Sequence, residues 1–375
     1  MNTYRSSRRR FLAEGTALGA ATLLGGCGVS FAGERPLVRT GALRVINWPE
    51  YIDPATVQQL SIGATITYDE IYEDNVSGFT DIIEPQLSGG GIPDFDLIVP
   101  TNWLAGRMID RGWVEALPLE LITNHVNIDP AYLTNDWDRG SRFQMPWQAG
   151  ITGIAYNPAL TGGSITSIDQ LFDPGLAGQV GLVGEMREAV GFAMLLNGDD
   201  PSRPTPRSAR AGLKVISDAV GRGQFKAIVF DDFVQLLESG ELAASMAWSG
   251  QAVALQQNRP DLEYVIPVEG GISWFDTMVI PKNAVNYANA ALWMNWAYDP
   301  QNAAEITIFN QYVSPVLGVQ DVLRARGGAE AELAENPLIF PDNDTRNRLF
   351  TWGTLDLETE LEIEAEFDSL FAFFE

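Results

Sequence analysis

The sequence predicts an α/β protein of two domains with largely parallel sheets. Along its body, short apolar runs with β character alternate with helix patterns, the signature of α/β lobes. Once residues 1–26 are set aside as an export signal, 349 residues remain, and at about 100 to 200 residues per domain these fill two domains. A composition of 46% hydrophobic and 10% aromatic residues is ample for packed cores and excludes a disordered chain.

The export signal has a basic start (Arg5, Arg8, Arg9, Arg10), then a weakly apolar stretch diluted by Gly, Ala and Thr, then small residues before Cys27. That stretch is too short and too poor in large side chains to span a membrane. Ser7-Arg8-Arg9-Arg10-Phe11-Leu12 resembles a twin-arginine signal, the route for proteins exported already folded. Leu24-Gly25-Gly26-Cys27 resembles a lipobox, in which Cys27 becomes the lipidated first residue and residues 27–41 form a linker. A stray thiol is the alternative for Cys27, but its place at the end of an export signal favours lipidation. The expected location is the periplasmic space or the outer face of the cytoplasmic membrane, with the lipid on Cys27 as the only membrane contact. A single cysteine permits no internal disulfide, so stability must come from a core.

The whole chain carries a formal charge of −25, and removing residues 1–26, with four arginines and one glutamate, brings it to −28. A surface this acidic repels nucleic acid and anionic lipid and attracts cations. Most of the charge reads as a solvated face that serves solubility or salt tolerance, leaving a few acids for a site.

In chain order, "GALRVINW" reads as a strand, and Asp53-Pro54 as an N-cap followed by proline in the first turn of a helix. "ATITYDE" is a second strand, "GFTDIIEPQL" a helix interrupted by Pro85, and "DFDLIVP" a third strand. Thr101 and Trp103 follow that strand as Trp48 and Glu50 follow "LRVIN", so two strand ends present aromatics to one rim, where open α/β sheets bind ligands. A second lobe starts at "GITGIAYNP". Gln179–Val183 reads as a strand, "EMREAVGFAMLL" as its helix, "GDDPSRPTPRSARAG" as a proline-rich surface loop and Ala209–Val220 as a helix. "ELAASMAW", "LEYVIPV" and "EGGISWFDTMVIP" read as strands. The C-terminal "LDLETELEIEAEFD" alternates with a period of two, which alone says strand, yet Ile363, Phe367, Leu370, Phe371 and Phe374 share one helical face. A helix from about Leu357 is expected, its acids forming a solvated face.

Catalytic templates find little support. His125 is the only histidine and lies in the polar "ITNHVNID", as a surface residue would. Ala247-Trp248-Ser249-Gly250-Gln251 lacks the two flanking glycines of a nucleophile elbow. No HExxH, clustered Cys/His or phosphate loop occurs, so no metal or cofactor is expected. An exported hydrolase using two carboxylates is the rival from another class, favoured by nothing beyond the abundance of acids.

"NWPEYI", "DLIVPTNW", "EMREAVGFAML", "SMAWSGQAVALQQ" and "VEGGISWFDTMVIPKNA", in this order and at these spacings, resemble the spermidine/putrescine-binding proteins of bacterial ABC importers. The resemblance runs from about Leu43 to the C-terminus, and "EGGISWFDTMVIP" is its most distinctive stretch. It implies a type II periplasmic binding protein fold: two hinge-connected α/β lobes with a ligand cleft between them. Residues 42–149 and 272–312 would form lobe 1, and 150–271 and 313–375 lobe 2, the chain crossing near Gly150, Gly271 and Val313. It also implies a monomer that captures a polyamine and delivers it to permease subunits. Carried over, it places Trp48, Glu50, Tyr51, Thr101 and Trp103 on the first lobe's side of the cleft. Glu185, Glu188 and Trp248 come from the second lobe, and Trp274, Asp276 and Tyr312 lie at or near the crossings. The family's spermidine binder often has aspartate in place of Glu185, tyrosine in place of Trp103 and glutamine near Gly353, which leaves the preferred polyamine open.

The chemistry of a linear polyamine suits these residues, because a row of ammonium groups separated by methylenes needs carboxylates at intervals and flat apolar walls between them. Each residue has a duller reading: Trp248 and Trp274 as core, Glu185 and Glu188 as dipole-compensating acids at a helix start, with Arg187 able to pair with either. Asp276 is the hardest to dismiss, since an acid within "ISWFDTMVI" needs a partner if buried. A ligand-sensing lipoprotein for another small cation or metabolite would need the same fold, and neighbouring permease and ATPase genes would separate the two roles.

Overall fold

The computed structural model describes residues 41–60, 62–71 and 82–374. The export signal, Cys27 and most of the linker therefore lie outside the described residues. The order begins with β1 (Ala42–Asn47), α1 (Pro54–Gln59), β2 (Thr65–Glu70), β3 (Leu97–Ile98) and α2 (Asn102–Asp110). The long β4 (Gln144–Tyr156), β5 (Val180–Val183), α3 (Met186–Leu196) and α4 (Pro206–Gly221) follow, then β6 (Phe225–Val229), β7 (Ala244–Trp248), α5 (Ser249–Asn258) and β8 (Glu263–Val265). The chain continues through β9 (Gly271–Val279), α6 (Tyr287–Ala297), α7 (Pro300–Asn310), β10 (Leu349–Thr351) and α8 (Leu357–Asp368).

Among the described residues ten strands join one sheet in the order β2-β1-β3-β9-β4-β7-β5-β6, with β8 beside β4 and β10 beside β9. The expected parallel pairing holds inside each half, for β1 with β2 and β3 and for β5 with β6 and β7. It fails in the middle, where β4 and β9 run antiparallel to one another, β9 to β3, and β4 to β7 and β8. The reason is directional: β4 and β9 carry the chain between the two halves in opposite senses.

Each half has its own core. One gathers Leu43, Leu97, Met278, Trp293 and Leu323, and the other gathers Ile154, Val180, Phe192, Leu213 and Phe367. A third cluster, around Ile46, Phe95, Ile98, Leu104 and Met108, fills the opposite face of β1 and β3. β4 is buried along its whole length, and it supplies Met145 and Trp147 to the first core but Ile154 and Tyr156 to the second. A run without polar alternation is what a strand covered on both faces requires.

Local signals decide several boundaries. The Asp53 carboxylate caps α1 by accepting from the Ala55 N–H at 2.9 Å, with Pro54 in the first turn. Ile82 and Ile83 are π-helical and Glu84–Leu87 is α-helical with Pro85 in its first turn, so the helical run changes type next to the proline; residues 78–81 of the expected helix lie outside the described residues. The proline-rich loop ends sooner than the sequence suggested, because Thr205 forms a capping box with Ser208 and Pro206 starts α4, where its missing N–H has no helical partner to lose. The C-terminal helix forms as expected, capped by Asp356 and burying Ile363 and Phe367. Its acids are not all solvated, since Glu364 is buried and Glu360 is paired with Arg187. β6 was not read from the sequence. Among the described residues no helix is long and apolar enough to cross a membrane.

Candidate functional site

A cavity of about 300 Å³ opens where strand ends from both halves converge. Trp48, Pro49, Glu50 and Tyr51 follow β1, and Thr101 follows β3; Glu185 follows β5, with Glu188 in the first turn of α3. Phe230 and Asp231 follow β6, Trp248 ends β7, and Tyr312 follows α7. Strand ends point their backbone dipoles and loops into such a crevice, the usual binding place in open α/β sheets.

β9 contributes from its middle. Its period of two puts Trp274 and Asp276 on the cavity face while Phe275 turns into a separate cluster with Ala149 and Val313. Two glycines make room for the aromatic wall. A Cβ on Gly150 of β4 would lie 2.2 Å from Trp274 Cζ2, and one on Gly250 would lie 2.6 Å from the Tyr312 ring. Glu50 adopts a left-handed φ of 58°, a conformation that costs a non-glycine residue roughly 1 kcal/mol or more and is often found at ligand sites.

The aromatic rings touch in series. Trp248 and Trp274 meet edge to face at 6.4 Å between centroids, Trp274 and Tyr312 at 5.6 Å, and Tyr312 and Tyr51 at 6.0 Å. A buried carboxylate is tied to each terminal ring of the series. Glu188 Oε2 accepts the indole N–H of Trp248 at 2.8 Å and the hydroxyl of Thr152, whose oxygen accepts the Trp274 N–H at 3.1 Å. Asp276 Oδ2 accepts the Tyr51 hydroxyl at 2.6 Å. Glu185 is paired with Arg187 at 3.1 Å.

Burial dominates the electrostatics. Asp276 is 1% exposed, and desolvation pushes its carboxyl up to about 7 although Tyr51 and Thr101 hold it down. Desolvation and the nearby Glu185 push Glu188 up to about 8 against its bonds from Thr152 and Trp248. Glu185 is raised as well, by desolvation first, with Arg187 opposing. Among the described residues five acids, Glu50, Glu185, Glu188, Asp231 and Asp276, line the cavity, and no Lys, Arg or His does. Such an enclosure lowers the energy of any positive charge placed in it. Among the described residues no cluster of His, Cys, Asp or Glu is placed to hold a metal ion.

Ten of the eleven residues singled out from the sequence line this one cavity. Trp103 does not: its ring lies beneath the Arg187 guanidinium, 3.5 Å from the centroid, and 4.7 Å from that of Arg107. Gly353 is also elsewhere, packed so that a Cβ would come within 2.1 Å of the Ser202 carbonyl oxygen; that contact leaves no room there for the glutamine that the family's spermidine binder often has. Sequence reading missed Phe230, Asp231, Gln251 and Asn310, all of which line the cavity. "FKAIVFDD" carries the same signature as the other strand ends, an apolar run followed by an aromatic and an acid, and could have revealed the first two. Asn310 bonds Gln148 and the Tyr51 carbonyl, contacts between distant segments that no local pattern encodes.

The family model for bacterial extracellular solute-binding proteins matches residues 63–341. A spermidine/putrescine-binding periplasmic protein of Salmonella typhimurium is 27% identical over 302 residues, covering 80% of this chain and 83% of its own. A putrescine-binding periplasmic protein of Pseudomonas aeruginosa is 25% identical over 367 residues, covering 92% of this chain and 95% of its own. Among solved structures, the spermidine/putrescine ABC transporter substrate-binding protein of Streptococcus pneumoniae superposes with a TM-score of 0.73 at 24% identity, covering 90% of this chain and all of that one. At that identity the likeness speaks for the two-lobed fold alone.

Proposed function

This chain belongs to the family of bacterial extracellular solute-binding proteins, and from that premise we propose that it captures a polyamine, putrescine or spermidine, and delivers it to an ABC import permease. One observation carries the reading: two buried carboxylates, Glu188 and Asp276, are tied to the terminal rings of a continuous aromatic wall in a cavity with no basic residue among the described ones. A polyamine is the complement of that wall. Its methylenes gain ~0.8 kcal/mol each on burial, and an ammonium over an aromatic face gains roughly 0.5 to 2 kcal/mol. Ammonium and carboxylate at about 4 Å attract by ~4 kcal/mol at an effective dielectric of ~20, much of it offset by desolvation. The acids therefore select charge and spacing while the rings supply affinity. The names of the curated relatives support the same ligand class.

In this reading Trp48, Glu50, Tyr51, Thr101, Glu185, Glu188, Trp248, Trp274, Asp276 and Tyr312 contact the ligand, and Trp103 acts from behind Arg187. Residues 42–149 and 272–312, with Val316, Val319, Leu323 and Ala334 packed into the same core, move as one lobe, and 150–271 with α8 as the other, closing as far as ligand contacts favour the closed form. No bond is broken, so the protein acts as a carrier and not as a hydrolase. It works as a monomer anchored outside the cytoplasmic membrane by lipid on Cys27.

Isothermal titration calorimetry of the mature chain with Cys27→Ser against putrescine, spermidine and spermine tests the reading. Saturable one-to-one heat with putrescine or spermidine is expected. No heat from any of the three, with folded protein freed of carried-over ligand, would sink the polyamine assignment and leave the family membership standing.

A further inference from the structure

Behind the cavity wall lies a cluster of five charged side chains, of which only Glu185 is among the proposed ligand contacts. Arg187 is 3% exposed and meets three carboxylates: Glu185 at 3.1 Å, Glu360 at 2.6 Å and Glu364 at 3.2 Å. Glu364 is shared, giving Oε1 to Arg187 and Oε2 to Arg107 at 3.1 Å. Trp103 completes the group, its face covered by both guanidiniums.

These residues come from elements packed in separate cores. Arg107 and Trp103 sit on α2, whose Leu104, Ala105 and Met108 belong to the cluster around β1 and β3. Arg187 on α3 and Glu360 and Glu364 on α8 belong to elements that bury Ala189, Val190, Ile363 and Phe367 in the second core. The contacts of Arg107 with Glu364 and of Trp103 with Arg187 therefore bridge the two halves, on the far side of Glu185 from the cavity.

Three carboxylates face two guanidiniums, and Nη2 of Arg107 is buried without a hydrogen-bond partner. The member that reaches the cavity is Glu185. We infer that Arg107, Glu364, Arg187 and Trp103 form an ionic clasp between the lobes, joined to the ligand cavity through Glu185. Residues outside the cavity thereby determine how long the ligand stays. The effect on ligand dissociation rests on the proposed reading of the cavity, but the bridge itself does not.

Exposed Gln58 and Arg222, one on each half, accept spin labels through Gln58→Cys and Arg222→Cys in the Cys27→Ser chain. Distance distributions are then measured with and without spermidine or putrescine, beside stopped-flow tryptophan fluorescence. Arg107→Gln and Glu364→Gln should each reduce the short-distance population of the ligand-free protein several-fold. Each should also raise the ligand dissociation rate about tenfold, with association changed less than twofold. The double variant should be no worse than either single one, as expected of a pair. Distributions and dissociation rates equal to those of the parent would overturn the clasp, as would fully additive losses. Should Arg107→Gln not fold, Arg107→Lys keeps the charge, loses the fork, and is expected to show the same direction at smaller size. If the parent binds no polyamine, the function proposed above fails, while the ligand-free distances still decide the bridge.

Discussion

The Tyr51 hydroxyl donates to Asp276 Oδ2 at 2.6 Å across 225 positions of sequence. The bond is charge-assisted when Asp276 is ionised, worth about 1.5 to 3 kcal/mol, and it favours the ionised form that a cation needs. Tyr51→Phe should raise the Asp276 carboxyl above its present value of about 7 and weaken ligand binding about tenfold, read by calorimetry at pH 7. An unchanged affinity would remove Asp276 from the ligand contacts.

Asp276→Asn removes the charge and keeps the shape. Because Asp276 is desolvated with no basic partner among the cavity residues, the free protein should melt at the same temperature or higher, while affinity drops at least a hundredfold. Glu358→Gln, on the exposed face of α8, should leave affinity within twofold. Equal losses in the two variants would count against the site.

The acidity of the cavity sets a pH dependence for binding. Asp276 and Glu188 titrate at about 7 and about 8 in the free protein, so both are partly protonated at neutral pH. A bound cation lowers these values, and the displaced protons leave. Affinity should fall as pH drops from 8 towards 6 and level off above it. Titration in buffers of different ionisation enthalpy should show protons released per ligand bound; uptake of protons would refute the assignment.

Stability of the free protein should run the other way. Unfolded, both carboxyls titrate near 4; folded, their values are raised, so the folded chain holds more protons between about pH 4 and 8. Stability from these groups is present below that window and is lost as pH rises through it. Glu188→Gln should raise the ligand-free melting temperature at pH 8 and change it little at pH 5, in thermal scans at the two values.

Gly150→Ala places a methyl where the Trp274 ring lies. The indole must leave the face of β4, breaking its bond to Thr152. Affinity should fall tenfold or more while far-UV circular dichroism stays unchanged. Retained affinity would mean that the ring position does not matter.

The sequence shows its strands and its cavity lining more readily than its topology. Strand ends such as "VINWPEY" and "SMAWSG" carry an apolar run followed by an aromatic or an acid, a local signal that survives folding. The antiparallel crossing of β4 and β9 has no such signal, because the direction of pairing depends on segments more than a hundred positions apart. Trp103 misled for a related reason: its spacing after β3 matches that of a lining residue, yet Arg187, from the other half, covers its ring. The acids of α8 read as a solvated face, and only the partners brought by α2 and α3 make Glu364 an interior one.

The first core draws its side chains from Leu43 at one end to Ala334 at the other. A ribosome releasing this chain in order therefore exposes β1, β2 and β3 long before β9 and α6 emerge to cover them. That half cannot close while synthesis is under way, and must be completed after nearly all of the chain has been released. Until then its apolar strands stay uncovered, and a chain stopped before residue 334 lacks part of the core that would bury them.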